Sequence, residues 1–166
     1  HATANQALGN LRAAAAIEVS LGGVEVAAEG AALDVAVAGG SFSVLHDGRA
    51  MPELVALRLM PGERLAVRAG MAGSWTYLAV AGRFDLPPTL GSLSTHLRSH
   101  LGGLEGRGLR AGDFLPVAGR RGAGAGASRI LAPWLGADDN PIRVLLGPQD
   151  DYFAPDQIAA FLSQSW

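Results

Sequence analysis

A short hydroxyl-rich loop carries the residue types in this sequence that are best suited to chemistry. Residues 91–95 read Gly-Ser-Leu-Ser-Thr, so Gly91, Ser92, Ser94 and Thr95 supply three hydroxyl groups beside accessible backbone N–H groups. Together these groups can hold a carboxylate, a phosphate or a carbonyl oxygen. The same residue types also cap turns, so both interpretations stay open. Catalytic residues remain unassigned, because the geometry of a Ser-His-Asp triad is not sequential.

Two histidines follow this loop at a spacing that metal sites use. His96 and His100 are four residues apart, which on a helix would place both imidazoles on one face. The Glu that follows the first His of a zincin motif is missing, and no third ligand is apparent. Surface or locally hydrogen-bonded histidines are therefore the favoured interpretation, and no metal is predicted.

The alternating Gly-Ala run at residues 122–126 imitates a nucleotide-binding glycine pattern. It follows Arg120-Arg121 rather than a buried strand, and no periodic helix begins after it. Residues 119–128 are therefore predicted to form a flexible connection.

Composition excludes several kinds of site. All 13 basic residues among the 166 are Arg, so the sequence contains no P-loop, Schiff-base or biotin-acceptor lysine. It contains no Cys, which removes disulfides and thiolate nucleophiles. The net charge of −2 argues against nucleic-acid binding. The absence of Cys fits a cytoplasmic protein. No apolar run reaches the roughly 18 residues of a membrane span, so no membrane partner is expected.

The elements that must position the loop are predicted to be mainly strands. A short helix over residues 5–16 precedes a strand from Ile17, and a break is expected at Gly39-Gly40. Asp47-Gly48 and Pro61-Gly62 are predicted turns. Apolar alternation recurs about every ten residues, the spacing of a sandwich or barrel. The predicted strands cover residues 17–21, 24–26, 33–37, 42–44, 54–59, 65–67, 75–80 and 142–146. Residues 106–117 are predicted to form a turn and a strand, and a helix covers 155–166.

An ordered series of segments resembles the allophanate hydrolase subunit 2 family, also described as carboxyltransferase subdomains A and B. The matching segments are residues 8–10, 14–21, 77–82, 84–87, 90–92, 94–95, 101–103, 106–107, 109–113, 141–144 and 147–150. The resemblance implies a mainly β fold, a cyclophilin-like antiparallel β-barrel with short flanking helices. It covers the family's first half, so residues 1–166 are expected to form one N-terminal subdomain, with a second subdomain expected after Trp166.

The resemblance also implies a function. The family includes the C subunit of 5-oxoprolinase, and the resemblance implies a complex with a subunit 1-type partner in ATP-dependent opening of the 5-oxoproline lactam to glutamate. A third subunit is a further expected partner. In the urea amidolyase relatives the same fold transfers a carboxyl group from carboxybiotin to urea. Biotin enters only in that alternative, and its carrier lysine must lie outside this sequence. A third alternative is a non-catalytic subunit that binds a subunit 1-type, kinase-inhibitor-like protein.

Two departures from the family pattern lie near the loop. The usual Gly-Gly pair reads Gly82-Arg83, and the usual GSRST segment carries Leu93 in place of its Arg. A leucine cannot supply the guanidinium contacts of an arginine. The hydroxyl loop and the matching segments together give the candidate residues for binding a small amide or lactam, which are Arg83, Asp85, Gly91, Ser92, Ser94 and Thr95.

Overall fold

A computed structural model of the chain describes residues 1–119, 127–132 and 143–165. The chain divides into two compact units, His1–Leu135 and Gly136–Trp166. The predicted flexible connection lies mostly outside the described residues, except for its ends at Gly119 and at residues 127–128.

The first unit contains a seven-stranded antiparallel sheet and a two-stranded one, which confirms the mainly β prediction. The order in the large sheet is β1-β6-β3-β5-β9, while β2 also pairs with β6 and β4 with β3. In the small sheet β7 pairs with β8. The strands are β1 (Ile17–Val19), β2 (Val24–Ala27), β3 (Leu33–His46), β4 (Arg49–Met51), β5 (Val55–Leu59), β6 (Arg64–Val80), β7 (Arg83–Phe84), β8 (Val117–Ala118) and β9 (Ser128–Arg129).

The first part of the long strand β3, residues 34–38, is buried on both faces, and each face contributes to a different core. Val35 and Val37 point into the main core with Phe42 and Leu78. Ala36 and Ala38, on the opposite face, form a second core with the N-terminal helix. Successive side chains of a strand point to opposite sides, so large and small residues separate between the two layers. The alanine-rich composition thus provides a flat surface on which the helix packs.

The predicted strand break at Gly39-Gly40 is wrong, because β3 runs through both glycines. A Cβ added to Gly39 would lie 2.5 Å from the Cα of Thr76 in β6. The glycines therefore permit a close approach of two backbones, and the pairing register first shifts between Gly39 and Ser41. The two halves predicted for β6, residues 65–67 and 75–80, are likewise one continuous strand.

The predicted helix over residues 5–16 is also wrong in extent. Helix α1 spans Ala2–Ala7, and the chain turns at Gly9, where φ is +69°. Hydrogen bonds from the N–H groups of Leu8 and Asn10 to the carbonyl oxygen of Asn5 close this turn. The turns predicted at Asp47-Gly48 and Pro61-Gly62 are confirmed, since each links two paired or successive strands.

Residues 106–117, predicted as a turn and a strand, contain turns and extended chain in which only Val117 belongs to a strand, so the turn is confirmed and the strand is wrong in extent. In the second unit, Arg143–Leu146 forms no strand, while Ile142 lies outside the described residues. A 3-10 helix (Asp150–Tyr152) and helix α2 (Pro155–Ser163) follow, which confirms the C-terminal helix up to Ser163. No helix in the described part of the chain is both long and apolar enough to cross a membrane.

Candidate functional site

The hydroxyl loop begins with a tight turn at residues 89–92. Thr89 and Ser92 exchange two backbone hydrogen bonds, of 2.9 and 3.0 Å. Both central residues have positive φ, +50° at Leu90 and +77° at Gly91. This left-handed pair is typical of a primed hairpin turn, and it leaves the Leu90 side chain 97% exposed at the tip. Gly91 therefore has a conformational role in the turn.

The loop then folds back on itself through close backbone contacts. His96 and Leu101 exchange backbone hydrogen bonds of 2.8 and 3.3 Å around a 3-10 helix (Leu97–Ser99). Gly102 passes directly beside the carbonyl oxygen of Ser94, and Gly103 passes beside the hydroxyl of Thr95; a Cβ at either glycine would overlap these oxygens. The segment 101–103 thus holds Ser94 and Thr95 in place.

The three loop hydroxyls differ in what they contact. The Ser92 hydroxyl accepts a hydrogen bond from the Ser94 backbone N–H at 3.1 Å, so it serves its own turn. Within the described ranges, the hydroxyls of Ser94 and Thr95 have no hydrogen-bond partner, and both residues are exposed. Of the three, these two are available to a ligand.

Leu93 anchors the loop to the protein. Its side chain is half-buried and packs against the main core, together with Leu86 and Leu115. Leu93 therefore contributes apolar contact between the loop and the core. A guanidinium at this position would have to leave the core to remain solvated.

Arg83 and Asp85 lie on one face of the short β7 segment. Phe84, between them, is 7% exposed and packs into the main core, so the alternation of the strand turns its two neighbours to solvent. The Asp85 N–H donates to the carbonyl oxygen of Pro116 at 2.8 Å and holds the segment in place. The side chains of Arg83 and Asp85 are both exposed to solvent. Within the described residues, no hydrogen bond or ion pair joins them to the hydroxyl loop.

Both histidines of the sequence-predicted pair belong to the loop's 3-10 turn. His96 precedes the 3-10 helix, where its Nδ1 accepts from the Ser99 N–H at 3.3 Å, and His100 follows in the left-handed conformation. A different trio, His46, Asp47 and Glu63, is the one group of potential metal ligands close together in the described residues. Glu63 caps the Met60 N–H and pairs with His46 at 2.9 Å, while Asp47 caps the Arg64 N–H. These contacts account for the trio as turn capping.

An ion-paired clamp follows the loop. The Arg107 guanidinium binds the Asp113 carboxylate through two hydrogen bonds, of 2.7 and 2.9 Å, and also pairs with Glu105. The second Asp113 contact is the backbone N–H of Arg110 at 2.7 Å. The Arg107 and Asp113 side chains are only 21% and 14% exposed, and the guanidinium, followed by the Arg110 N–H, lowers the pKa of Asp113 to about 2. The clamp fixes the conformation of residues 107–113.

The lowered pKa of Asp113 predicts acid sensitivity. Because the carboxyl has a lower pKa in the folded protein than its ordinary 3.8, its stabilising contribution is complete above about pH 4. That contribution is lost as the pH falls towards 2. Urea unfolding at pH 6 and pH 3 should therefore show a smaller loss of stability in Asp113→Asn than in the wild-type protein.

The matched control for this experiment is Asp85→Asn, whose side chain makes no hydrogen bond among the described residues. It should retain the pH dependence of the wild-type protein. Equal loss of stability in wild-type and Asp113→Asn proteins would show that the clamp does not contribute through the Asp113 charge.

A large hollow opens between β2 and the extended segment 109–117, and it was not predicted from the sequence. Its volume is about 870 Å³, and neither Gly91 nor Ser94 contributes to its lining. Arg110 is a charged lining residue that the sequence did not indicate as functional, although it lies inside the matched segment 109–113. Because the two walls are some 80 residues apart in the chain, no local signal indicated the hollow.

Comparison with known proteins places the chain in a family. The profile described as carboxyltransferase domain, subdomain A and B, matches residues 1–166. The chain belongs to this family. The C subunit of 5-oxoprolinase from Escherichia coli (strain K12) is 35% identical over 163 residues, covering 98% of this chain and 51% of that protein. The urea amidolyase of Saccharomyces cerevisiae is 30% identical over 172 residues, covering 98% of this chain and 9% of that protein.

Solved structures agree with the family assignment. A crystal structure of the protein TTHA0988 superposes with a TM-score of 0.76 at 30% identity, covering 98% of this chain and 31% of that one. The Kluyveromyces lactis urea carboxylase superposes with a TM-score of 0.66 at 30% identity, covering 69% of this chain and 10% of that one. The carboxyltransferase-domain chain spans about half the length of the 5-oxoprolinase C subunits that it matches.

Proposed function

We propose that this carboxyltransferase-type domain is a subunit, or half of a subunit, of an ATP-dependent complex that hydrolyses a small amide or lactam, with 5-oxoproline as the substrate and glutamate as the product. The observation that carries the proposal is its similarity to the C subunit of 5-oxoprolinase along nearly the whole chain. In this proposal the partners are a subunit 1-type protein and a third subunit, and the complex works in the cytoplasm.

The proposed substrate site consists of Arg83, Asp85 and the loop residues Gly91, Ser92, Ser94 and Thr95. Ser94 and Thr95 present hydroxyl groups that nothing else among the described residues occupies, and the Gly102-Gly103 contacts hold them in place. Fixed donors of this kind stabilise negative charge that develops on a carbonyl oxygen when an amide is attacked. These residues supply no P-loop lysine, so ATP enters the proposal as a requirement of the complex.

The test uses the full-length polypeptide that contains this sequence, assembled with its partner subunits. ATP-dependent release of glutamate from 5-oxoproline is expected. The double variant Ser94→Ala/Thr95→Ala should lower kcat about a hundredfold, the usual cost of losing a fixed oxyanion donor. Ser20→Ala, an exposed serine outside the loop, is the matched control and should leave kcat unchanged.

The similarity to urea amidolyase favours a second candidate, transfer of a carboxyl group from carboxybiotin to urea. Biotin-dependent carboxylation of urea without 5-oxoproline turnover would replace the first proposal with this one. If the complex turns over normally with both loop hydroxyls removed, while the chain still binds its partner, the domain acts as a non-catalytic binding subunit.

A further inference from the structure

The hollow beside β2 extends from the protein surface into the main core. One wall is residues 23–29, and the other is residues 109–117. Its floor includes Val35, Leu78, Val80 and Phe84, each at most 7% exposed. The hollow therefore reaches side chains that otherwise belong to the core.

The floor favours an apolar occupant. Ligand sites in proteins span about 300–1,000 Å³, and the hollow's volume of about 870 Å³ lies within that range. Water over an aliphatic floor finds few hydrogen-bond partners, so a hydrocarbon group that displaces it gains stability.

Among the described residues that line the hollow, Arg110 is the cation whose side chain makes no hydrogen bond. Arg64 binds Glu25 at 2.8 Å, and Asp113 is held by Arg107, so these charges are compensated. The exposed Arg110 guanidinium has no hydrogen-bond partner within the described ranges, although its backbone N–H is fixed by Asp113 at 2.7 Å. Arg110 thus presents an exposed guanidinium without a hydrogen-bond partner at the edge of the hollow, and its positive charge also helps to lower the pKa of the neighbouring Asp113.

We propose that this hollow binds a small organic acid with an apolar body, whose carboxylate pairs with Arg110 and whose hydrocarbon part lies on the floor beside Val80 and Phe84. A guanidinium fork matches the two oxygens of a carboxylate. The exposed Glu29, on the other wall, carries a like charge that opposes the same ligand. The inference does not depend on the proposed lactam hydrolysis, because the hydroxyl loop does not line the hollow.

The experiment compares octanoate with octan-1-ol, which shares the hydrocarbon chain but lacks the charge. Calorimetric titration of the wild-type protein should show one octanoate per chain with a sub-millimolar dissociation constant. Arg110→Gln should weaken octanoate binding about tenfold, the usual loss of a charge-assisted pair, and leave octan-1-ol binding unchanged. Glu29→Gln should strengthen octanoate binding.

Arg49→Gln is the matched control, because Arg49 is an exposed arginine on β4 that does not line the hollow. Arg110 and Glu29 are both exposed, so the Arg110→Gln and Glu29→Gln variants should fold, and circular dichroism verifies this. Equal octanoate affinity in Arg110→Gln and Arg49→Gln would overturn the proposal. So would binding of octan-1-ol without saturable binding of octanoate. Shifts of the Val26 and Ala111 amide resonances on titration locate the ligand, and their absence would also overturn it.

Discussion

Asn10→Ala is expected to lower the free energy of unfolding by about 3 kcal/mol, because it removes the hydrogen-bond partner of three partly buried polar groups. The Asn10 Nδ2 group donates to the Val80 carbonyl at 2.7 Å and to the Asn5 Oδ1 at 3.0 Å. Its Oδ1 accepts the Gly82 N–H at 3.1 Å. One side chain therefore joins the N-terminal segment to the end of β6, immediately before β7, where the site residue Arg83 pairs with β8.

The substitution Asn10→Asp tests the two hydrogen bonds that the Asn10 Nδ2 group donates. A carboxylate keeps an acceptor for the Gly82 N–H but places negative oxygen against the Val80 carbonyl and the Asn5 Oδ1. We expect this variant to be at least as unstable as Asn10→Ala at pH 7. Urea unfolding measures both, and Gln6→Ala, an exposed residue on helix α1, is the control with an expected change within about 0.5 kcal/mol. A loss in Asn10→Ala no larger than in Gln6→Ala would contradict the proposed role.

The strand alternation and the turns were predictable because both depend on neighbouring residues. Asp47-Gly48 forms its hairpin turn from local φ preferences alone. The strand break predicted at Gly39-Gly40 was wrong, because a glycine that allows another strand to approach closely looks the same in the sequence as a glycine that ends a strand. The distinction depends on Thr76, 37 positions along the chain, and no local pattern contains it.

For the candidate site too, the sequence predicted some features, and others depended on the tertiary structure. The residue types of the hydroxyl loop were evident, but not that Ser92 serves its own turn while Ser94 and Thr95 remain available. The role of Leu93 as an anchor follows from packing against the core, which spacing does not reveal. Arg110 was one charged residue among 13 Arg in the sequence until the fold placed it on the rim of a hollow. The residue types therefore predicted which functional groups the site could contain, whereas the positions of those groups depended on the tertiary structure.

The second large effect concerns the loop. Gly102→Ala should open it, because the new Cβ would overlap the Ser94 carbonyl oxygen and because φ at this position is +71°. The left-handed conformation alone costs an L-residue about 1–2 kcal/mol, and the overlap adds to that. We expect the loop to detach locally while the sheet stays folded, since the main core does not include Gly102. Amide hydrogen exchange should then accelerate at His96 and Leu101, whose N–H groups are paired only inside the loop.

Two other glycines separate the causes of this effect. Gly91→Ala meets the same left-handed penalty, at φ +77°, but nothing lies within 4 Å of its added Cβ, so a cost of about 1 kcal/mol is expected. Gly108→Ala meets neither obstacle and should be nearly neutral. If the loop hydroxyls bind substrate, turnover by the assembled complex should fall in the order Gly108→Ala, Gly91→Ala, Gly102→Ala. Unchanged exchange at His96 and Leu101 in Gly102→Ala would show that the contact with Ser94 does not hold the loop. Faster exchange with unchanged turnover would instead show that catalysis does not require the ordered loop. Ser94 and Thr95 would then have lost their fixed positions without an effect on the reaction rate.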